Sequence, residues 1–273
     1  MDHAANTPCP PGAPGEPGLR GRLPRALPAR PGEGAGGGWA RVLGRALAEA
    51  AWPTRCAVCD APGAVLCERC ARELPHIDWW GACPRCGAPW GRVQCSECND
   101  VVLAASGRDR LPYDQAASAV ILDGAAHAVA CVFKDQGEQR LAVPMARLMA
   151  ACAPPAWSAP GAVVSFVPAS AAALRRSGFD HGALLGQAVA DELGVPCAAL
   201  LARPRAADQR RLGRRERAAN MAHSLEALPG AAARGPVILV DDVLTTGATL
   251  CAGADALRGA GAPAVYGLTF ARA

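Results

Sequence analysis

Short apolar runs alternate with helix-spaced apolar positions through the second half of the chain. Residues 237–240 form an unbroken run of four β-forming residues, and residues 163–167 are similar. Runs of this length are too short for helices and are typical of strands buried on both faces of a parallel sheet. The pattern predicts strands at 119–122, 163–167, 197–201, 237–240 and 265–270.

Helices are predicted between these strands. Asp123 has the side chain of a helix N-cap, and apolar spacing continues from there to Phe133. Further helices are predicted at about 141–152, up to about Leu193, and at about 249–260. Strands that alternate with helices indicate an α/β fold, with a parallel sheet flanked by helices.

The first part of the chain has a different composition. Residues 1–38 are dominated by Pro, Gly, Ala and Arg, which bury too little apolar surface to offset chain entropy, so a disordered tail is expected. Residues 39–51 have the spacing of a short amphipathic helix, which Pro53 ends. The predicted domains are therefore the tail (1–38), a helix with a Cys-rich module (39–104), and the α/β domain (112–273).

Charge and hydropathy limit the compartment and the partners. The net charge is +4, yet residues 203–217 contain seven Arg with Asp208 and Glu216, a local +5 that leaves the remainder at −1. This stretch is predicted to be either a solvated surface or an anion-binding loop. No secretory signal or membrane-length apolar run is present, and the cysteine usage described next favours the reducing cytoplasm.

Eight of the thirteen cysteines form four C-x-x-C units. Two residues between thiolates let both sulfurs face one metal, and two such units complete a closed tetrahedral site for Zn²⁺. Gaps of seven and eight residues inside the two quartets, against twelve between them, favour sequential pairing, although an interleaved arrangement stays open. A double zinc ribbon with two structural zinc ions is predicted from Cys56, Cys59, Cys67, Cys70, Cys83, Cys86, Cys95 and Cys98.

The surface of this module carries both Trp and Arg residues, including Trp79, Trp80, Trp90 and Arg92. Such side chains stack on the bases of single-stranded nucleic acid. Acidic residues cancel the basic charge, so the sequence does not decide between nucleic-acid contact and protein docking.

The most informative stretch follows the strand predicted at 237–240. Asp241 and Asp242 come first, and a turn of small residues at 245–249 then leads into a helix. Backbone N–H groups in such a turn, with the helix N-terminus behind them, bind phosphate. Adjacent carboxylates suit sugar hydroxyls or a divalent cation. Together these features fit a ribose 5-phosphate with Mg²⁺-bound pyrophosphate.

The same residues resemble the phosphoribosyl pyrophosphate (PRPP) loop of type I phosphoribosyltransferases. In that family the acidic pair meets the ribose 2′- and 3′-hydroxyls, and the turn holds the 5′-phosphate. The resemblance implies a type I phosphoribosyltransferase fold, Mg²⁺ bound with PRPP, and a PRPP site made of Asp241, Asp242, Thr245, Thr246, Gly247, Ala248 and Thr249.

Further sequence motifs resemble those of the ComF family, whose members join an N-terminal zinc ribbon to this transferase fold. They are the C-x-x-C units, Phe133-Lys134 with Gly137, Val167-Pro168, Arg175 with Gly178-Phe179, and Gln209 with 214–220. The resemblance covers about residues 40–273. It implies a role in natural competence, in which imported single-stranded DNA is handled alongside a DNA helicase and recombination mediators.

The resemblance also implies contacts to pyrophosphate or DNA. The candidates are Lys134, Ala169, Ser170, Arg175, Arg210, Arg211 and Arg214, the last three in a loop that closes over PRPP in family members. Where the family commonly reads Arg-Gly-Phe-Asn-Gln, this chain has Ser177 to His181, which removes one arginine.

Three functions remain open at this point. The chain could act in DNA uptake, with or without phosphoribosyl transfer. It could be a metabolic phosphoribosyltransferase for a small acceptor, or a nucleic-acid-binding protein regulated by PRPP. No residue in the sequence identifies the acceptor of a phosphoribosyl group.

Overall fold

A computed structural model describes residues 53–202, 225–231 and 233–273. The predicted tail, the predicted helix at 39–51 and the Arg-rich stretch at 203–217 lie outside these ranges. In chain order the elements are α1 (Glu68–Glu73), α2 (Asp100–Ala105), β1 (Gln115–Ile121), α3 (Gly124–Lys134), α4 (Ala142–Cys152), β2 (Val163–Phe166), α5 (Ala171–Ser177), α6 (His181–Leu193), β3 (Val237–Leu244), α7 (Ala248–Gly259) and β4 (Val265–Arg272).

The four strands form one parallel sheet in the order β1-β4-β3-β2. Strand β3 lies inside the sheet, where Val240 pairs with Phe166 on one side and Leu268 on the other. The four apolar residues that open β3 are fully buried. The α/β class, the parallel sheet and its flanking helices are therefore confirmed.

Local sequence explains where several helices begin and end. The Asp123 side chain accepts a hydrogen bond from the Ala126 N–H at 2.8 Å, as predicted for the cap of α3. Ser170 and Asp180 cap α5 and α6 in the same way. Between those two helices Gly178 adopts φ +79°, a left-handed conformation that ends α5 and turns the chain into α6.

The prediction of a strand at 197–201 is wrong. Cys197 forms an isolated parallel bridge with Val164, and Leu201 forms an isolated antiparallel bridge with Ala227. The segment stays beside β2, but the Leu200 N–H donates to the Ser165 side chain at 3.3 Å rather than to a backbone carbonyl, so no ladder continues. Strand β1 also begins at Gln115, earlier than the apolar run at 119–122 suggests.

The Cys-rich module covers the outer edge of the sheet. Along β1, the Ile121 N–H donates to the Pro75 carbonyl at 2.8 Å, and the Ala116 N–H donates to the Arg85 carbonyl at 2.9 Å. His76 also forms an antiparallel bridge with Val120. These contacts satisfy backbone groups that an uncovered edge strand would leave open.

The hydrophobic core extends from the sheet into this module. Cys56, Leu66, Cys70 and Leu74 belong to the same buried cluster as Val120 and the side chains of α3, α4 and α6. A second cluster packs α7 against the other face of the sheet, and the second group of cysteines forms a small cluster of its own. The first half of the module is therefore packed as part of the main core.

The helices also bear on membrane crossing. Within the described ranges, none has both the length and the apolar character that a membrane span requires.

The packing around α6 gives a test of the fold. A Cβ added to Gly182 would lie 2.1 Å from the Val167 carbonyl oxygen, at the end of β2, whereas a Cβ on Gly124 would meet nothing within 4 Å. We expect Gly182→Ala to lower the free energy of unfolding by about 2 kcal/mol, because backbone must move to admit the methyl group. Gly124→Ala is the matched control, since it also lies in the first turn of a helix, and it should leave stability unchanged or slightly raised. Urea unfolding measures both variants, and equal stabilities would contradict the packing described here.

Candidate functional site

Strand β3 extends past the run predicted at 237–240 and carries two carboxylates in its second half. Asp241 and Asp242 follow the buried apolar run, and Asp241 lies in register with Thr269 of β4. The Asp242 N–H donates to the Asp241 side chain at 2.9 Å, and the Val243 N–H donates to the Asp242 side chain at the same distance. Local backbone contacts therefore orient both carboxylates.

Lys134 forms an ion pair with the more buried of these carboxylates. Its Nζ lies 2.9 Å from Oδ2 of Asp242, whose side chain is only 5% exposed, while the lysine side chain is 39% exposed. Lys134 is the last residue of α3, so the helix delivers the ammonium group to the end of the neighbouring strand. The structure thus brings together two residues that the sequence predicts for one site.

The two carboxylates respond differently to this environment. Burial would raise the pKa of Asp242, but the charge and hydrogen bond of Lys134 outweigh it and lower the pKa below its usual value. Burial raises the pKa of Asp241 well above its usual value, and the negative charge of Asp242 adds to this effect. Burial alone would lower the pKa of Lys134, but the Asp242 charge raises it overall. The lysine and Asp242 are therefore held as a charged pair, with Asp241 as the easier carboxyl to protonate.

His181 is a third polar group near this pair. It begins α6, is 8% exposed, and has no hydrogen-bond partner for its Nδ1 atom among the described residues. Burial lowers the pKa of His181, while the nearby Asp242 charge opposes that shift. Burial thus favours the uncharged imidazole, and one buried ring nitrogen is left unpaired among the described residues.

The turn after β3 is exposed and leads directly into α7. Thr245 and Thr246 are exposed, and Gly247 adopts φ +74° immediately before α7. A side chain at Gly247 would be strained in that conformation, so glycine gives the turn its shape. The Thr246 hydroxyl accepts from the Ala248 N–H at 3.4 Å. Helix α7 begins at Ala248, one residue before the predicted start, and its positive end faces the turn.

A second loop lies at the end of the neighbouring strand β2. Ala169 is buried and donates its N–H to the Asp180 carboxylate at 3.1 Å, and that carboxylate also caps α6 through the Ala183 N–H. Ser170 is exposed and caps α5. Because β2 and β3 are parallel neighbours, this loop and the acidic pair lie at the same edge of the sheet.

The predicted arginines fall into two groups. Arg175 is exposed on α5, and no contact places it against the acidic pair. Its neighbour Arg176 lies 3.7 Å from Asp135, the residue after Lys134. Arg210, Arg211 and Arg214 lie outside the described residues.

The eight predicted cysteine ligands form two separate groups of four. Cys56, Cys59, Cys67 and Cys70 make one, and Cys83, Cys86, Cys95 and Cys98 make the other, with the sulfur atoms of each group within 4.8 Å of one another. Pairing is therefore sequential, and the interleaved alternative is ruled out.

Sulfur spacing agrees with a tetrahedral metal. Four sulfurs placed about 2.3 Å from Zn²⁺ lie about 3.8 Å apart. The Cys59–Cys67 pair lies at 3.8 Å, while the Cys83–Cys98 and Cys86–Cys95 pairs lie at 3.6 Å. Within the unit Cys67/Cys70, the Cys70 N–H donates to the Cys67 sulfur at 3.5 Å, as expected for a C-x-x-C turn. Each group could hold one metal ion, and all-sulfur ligation suits Zn²⁺.

Sequence reasoning missed two buried polar residues near these sites. His181 was noted only as a departure from the family pattern, although its place one residue after a capping Asp was a usable signal. Arg272 ends β4, is 5% exposed, and contacts the second cysteine group. An arginine that ends a strand of apolar residues gave little sign of that contact in the sequence.

Comparison with known proteins adds no assignment. No protein-family profile matches the chain, and no curated protein matches it.

The ion pair at the site can be tested by a double-mutant cycle. Lys134→Met leaves the Asp242 charge buried without a partner, and we expect a loss of about 2 kcal/mol of unfolding free energy, less than for a fully buried pair because the lysine is partly exposed. Adding Asp242→Asn should recover part of that loss, since no unpaired charge then remains.

The control for this cycle is Arg147→Met, which removes a more exposed pair with Glu192 and should cost less than about 0.5 kcal/mol. Urea unfolding at pH 7 gives all the values. Additive effects of the Lys134 and Asp242 changes would show that the two residues do not interact.

Proposed function

We propose that this chain is a PRPP-binding protein with the type I phosphoribosyltransferase fold, of the ComF type, acting in the handling of single-stranded DNA during natural competence. One observation carries the proposal. An acidic pair lies in the second half of a central parallel strand, beside a lysine from another helix, and a Thr/Gly turn and a helix N-terminus follow that strand.

Each part has a role in binding PRPP. The turn at 245–249 and the positive end of α7 bind the 5′-phosphate. Asp241 and Asp242 accept hydrogen bonds from the ribose hydroxyls. In the described structure Asp242 is ionised by its pair with Lys134, which makes it a strong acceptor.

Pyrophosphate requires positive charge near the same edge. Mg²⁺ bound with PRPP supplies part of it, and Lys134 supplies a fixed ammonium group. Ala169 and Ser170 follow β2 at the same edge of the sheet, and by the family resemblance their loop is proposed to contact pyrophosphate. Arg210, Arg211 and Arg214 are proposed to complete the contacts to pyrophosphate or to DNA.

Transfer, where it occurs, would be a displacement at C1 of the ribose. The bond from C1 to the pyrophosphate oxygen breaks, pyrophosphate leaves with the electron pair, and an acceptor nucleophile forms the new bond to C1. The protein would act by positioning and by electrostatic stabilisation of the leaving group. His181 lies near the acidic pair with an unpaired Nδ1 among the described residues, and it is available as a hydrogen-bond partner there.

An exposed aromatic cluster supports contact with single-stranded DNA. Trp79, Trp80 and Trp90 are 56%, 63% and 81% exposed, and the rings of the first two lie 4.4 Å apart. The Arg92 guanidinium carbon lies 5.7 Å from the Trp80 ring centroid. Exposed tryptophans beside an arginine are typical of surfaces on which bases stack. The proposed helicase and recombination partners rest on the family resemblance.

PRPP binding is the first test of this function. Titration calorimetry of the zinc-loaded protein with PRPP and Mg²⁺ should show saturable binding at one site. Asp241→Asn/Asp242→Asn should abolish it, because the ribose hydroxyls lose their charged acceptors. Asp255→Asn is the matched control: this residue lies on α7 but pairs with Arg108, so binding should persist.

The outcomes separate the candidate functions. Absence of PRPP binding by the wild-type protein would refute the proposal. Rapid release of pyrophosphate with a free base as the acceptor would instead favour a metabolic phosphoribosyltransferase.

The DNA-binding part is tested on the aromatic cluster. We expect Trp79→Leu/Trp80→Leu to weaken binding of a fluorescent oligo-thymidine by roughly 10-fold or more, because each stacked base contributes about 1–3 kcal/mol. Val93→Ser is the control, since Val93 is fully exposed nearby without an aromatic ring. Fluorescence anisotropy at two salt concentrations also measures the phosphate contribution. Unchanged affinity in the double variant would show that Trp79 and Trp80 do not contact DNA.

A further inference from the structure

Arg272 joins the second cysteine group to the end of the sheet. It is the last residue of β4 and is 5% exposed. Its Nη1 donates to the Cys86 carbonyl at 2.7 Å, and its Nη2 forms an ion pair with Glu97 and lies 3.9 Å from the Cys86 sulfur. The guanidinium therefore contacts both the backbone and the sulfur of Cys86, a predicted metal ligand. It also contacts Glu97, the residue before a second predicted ligand, Cys98.

The same arginine is tied to the turn that follows β3. Arg272 lies in register with Leu244, the residue before Thr245, and the adjacent Ala273 N–H donates to the Leu244 carbonyl at 2.9 Å. A small cavity of about 70 Å³ is lined by both regions: Cys86, Glu97 and Cys98 from the cysteine group, Thr245, Thr246 and Gly247 from the turn, and Arg272 between them. The Arg272 Nε atom has no hydrogen-bond partner among the described residues.

The first cysteine group has a different environment. Cys56 and Cys70 pack in the main core with β1 and α3, whereas the turn at 245–247 lines the same small cavity as the other cysteine group. The two predicted zinc sites are therefore unequal, and only the second adjoins the candidate phosphate turn within the described structure.

We propose that Arg272 is a positioning residue that couples metal binding at the second cysteine group to phosphate binding by the turn at 245–249. The inference rests on the proposed function, because it takes the turn to bind the PRPP phosphate. The donor contacts of Arg272 stabilise the Cys86 thiolate, as outer partners of metal ligands do. The same side chain fixes the end of β4 against β3, just before the turn.

Coupling of this kind is reciprocal. If metal at the second group favours the binding-competent turn, then PRPP bound in the turn must favour retention of that metal by the same factor. The first group should show no such effect. Metal loss from the chain should therefore have two phases, of which PRPP slows one.

The test follows zinc loss from the full chain with a chromogenic chelator, with and without PRPP and Mg²⁺. For the wild type we expect PRPP to slow one of two release phases about 5-fold. Arg272→Met should speed that phase about 10-fold, remove the protection by PRPP, and weaken PRPP binding about 5-fold. Arg72→Met is the matched control, because Arg72 pairs with Glu68 on the helix that carries Cys70 and should change neither readout.

A second variant keeps the test decisive if Arg272→Met fails to fold. Glu97→Gln weakens the same link from a side chain that is 41% exposed, and it should speed the same phase about 3-fold. Wild-type release rates in both folded variants, or PRPP binding that changes neither phase, would overturn this inference alone. Failure of PRPP to bind the wild type would overturn the proposed function instead, and faster zinc loss from Arg272→Met would still show that Arg272 supports the second metal site.

Discussion

A carboxylate buried within a central strand needs a cation beside it, and the ion pair between Lys134 and Asp242 meets that need. The pair joins the last residue of α3 to strand β3. It also separates the two neighbouring acids, leaving Asp242 ionised and Asp241 with a raised pKa. The difference in pKa between the two neighbouring carboxyl groups therefore depends on this contact.

The cysteine-rich module supports the same edge of the molecule in two ways. Its backbone pairs with the outer strand β1, and the first cysteine group packs into the main core. The second group contacts the end of β4 through Arg272. Metal binding in such a module contributes directly to folding free energy, since closed four-sulfur sites are assembled only in the folded chain. The module thus covers the outer strand of the sheet, and its tryptophans remain exposed on the surface.

Sequence predicted the features that depend on local pattern. The buried run before Asp241, the cap at Asp123, the turn at Gly247 and the division of cysteines into sequential groups all follow from spacing or from the preference of one residue type. The extended segment at 197–201 was predicted as a strand because β propensity does not report whether a neighbour stays in register. His181 and Arg272 were missed as site residues because their burial depends on contacts between distant parts of the chain, which no local pattern encodes.

Hydrogen–deuterium exchange of the zinc-loaded chain, with and without saturating PRPP and Mg²⁺, tests the central claim most directly. The claim is that the carboxyl end of β3 and the following turn form a ribose-phosphate site. The account predicts slower amide exchange in peptides that cover 241–249, with α4 (Ala142–Cys152) unchanged as an internal reference. Protection confined to other segments, or no protection in that peptide at saturation, would contradict it.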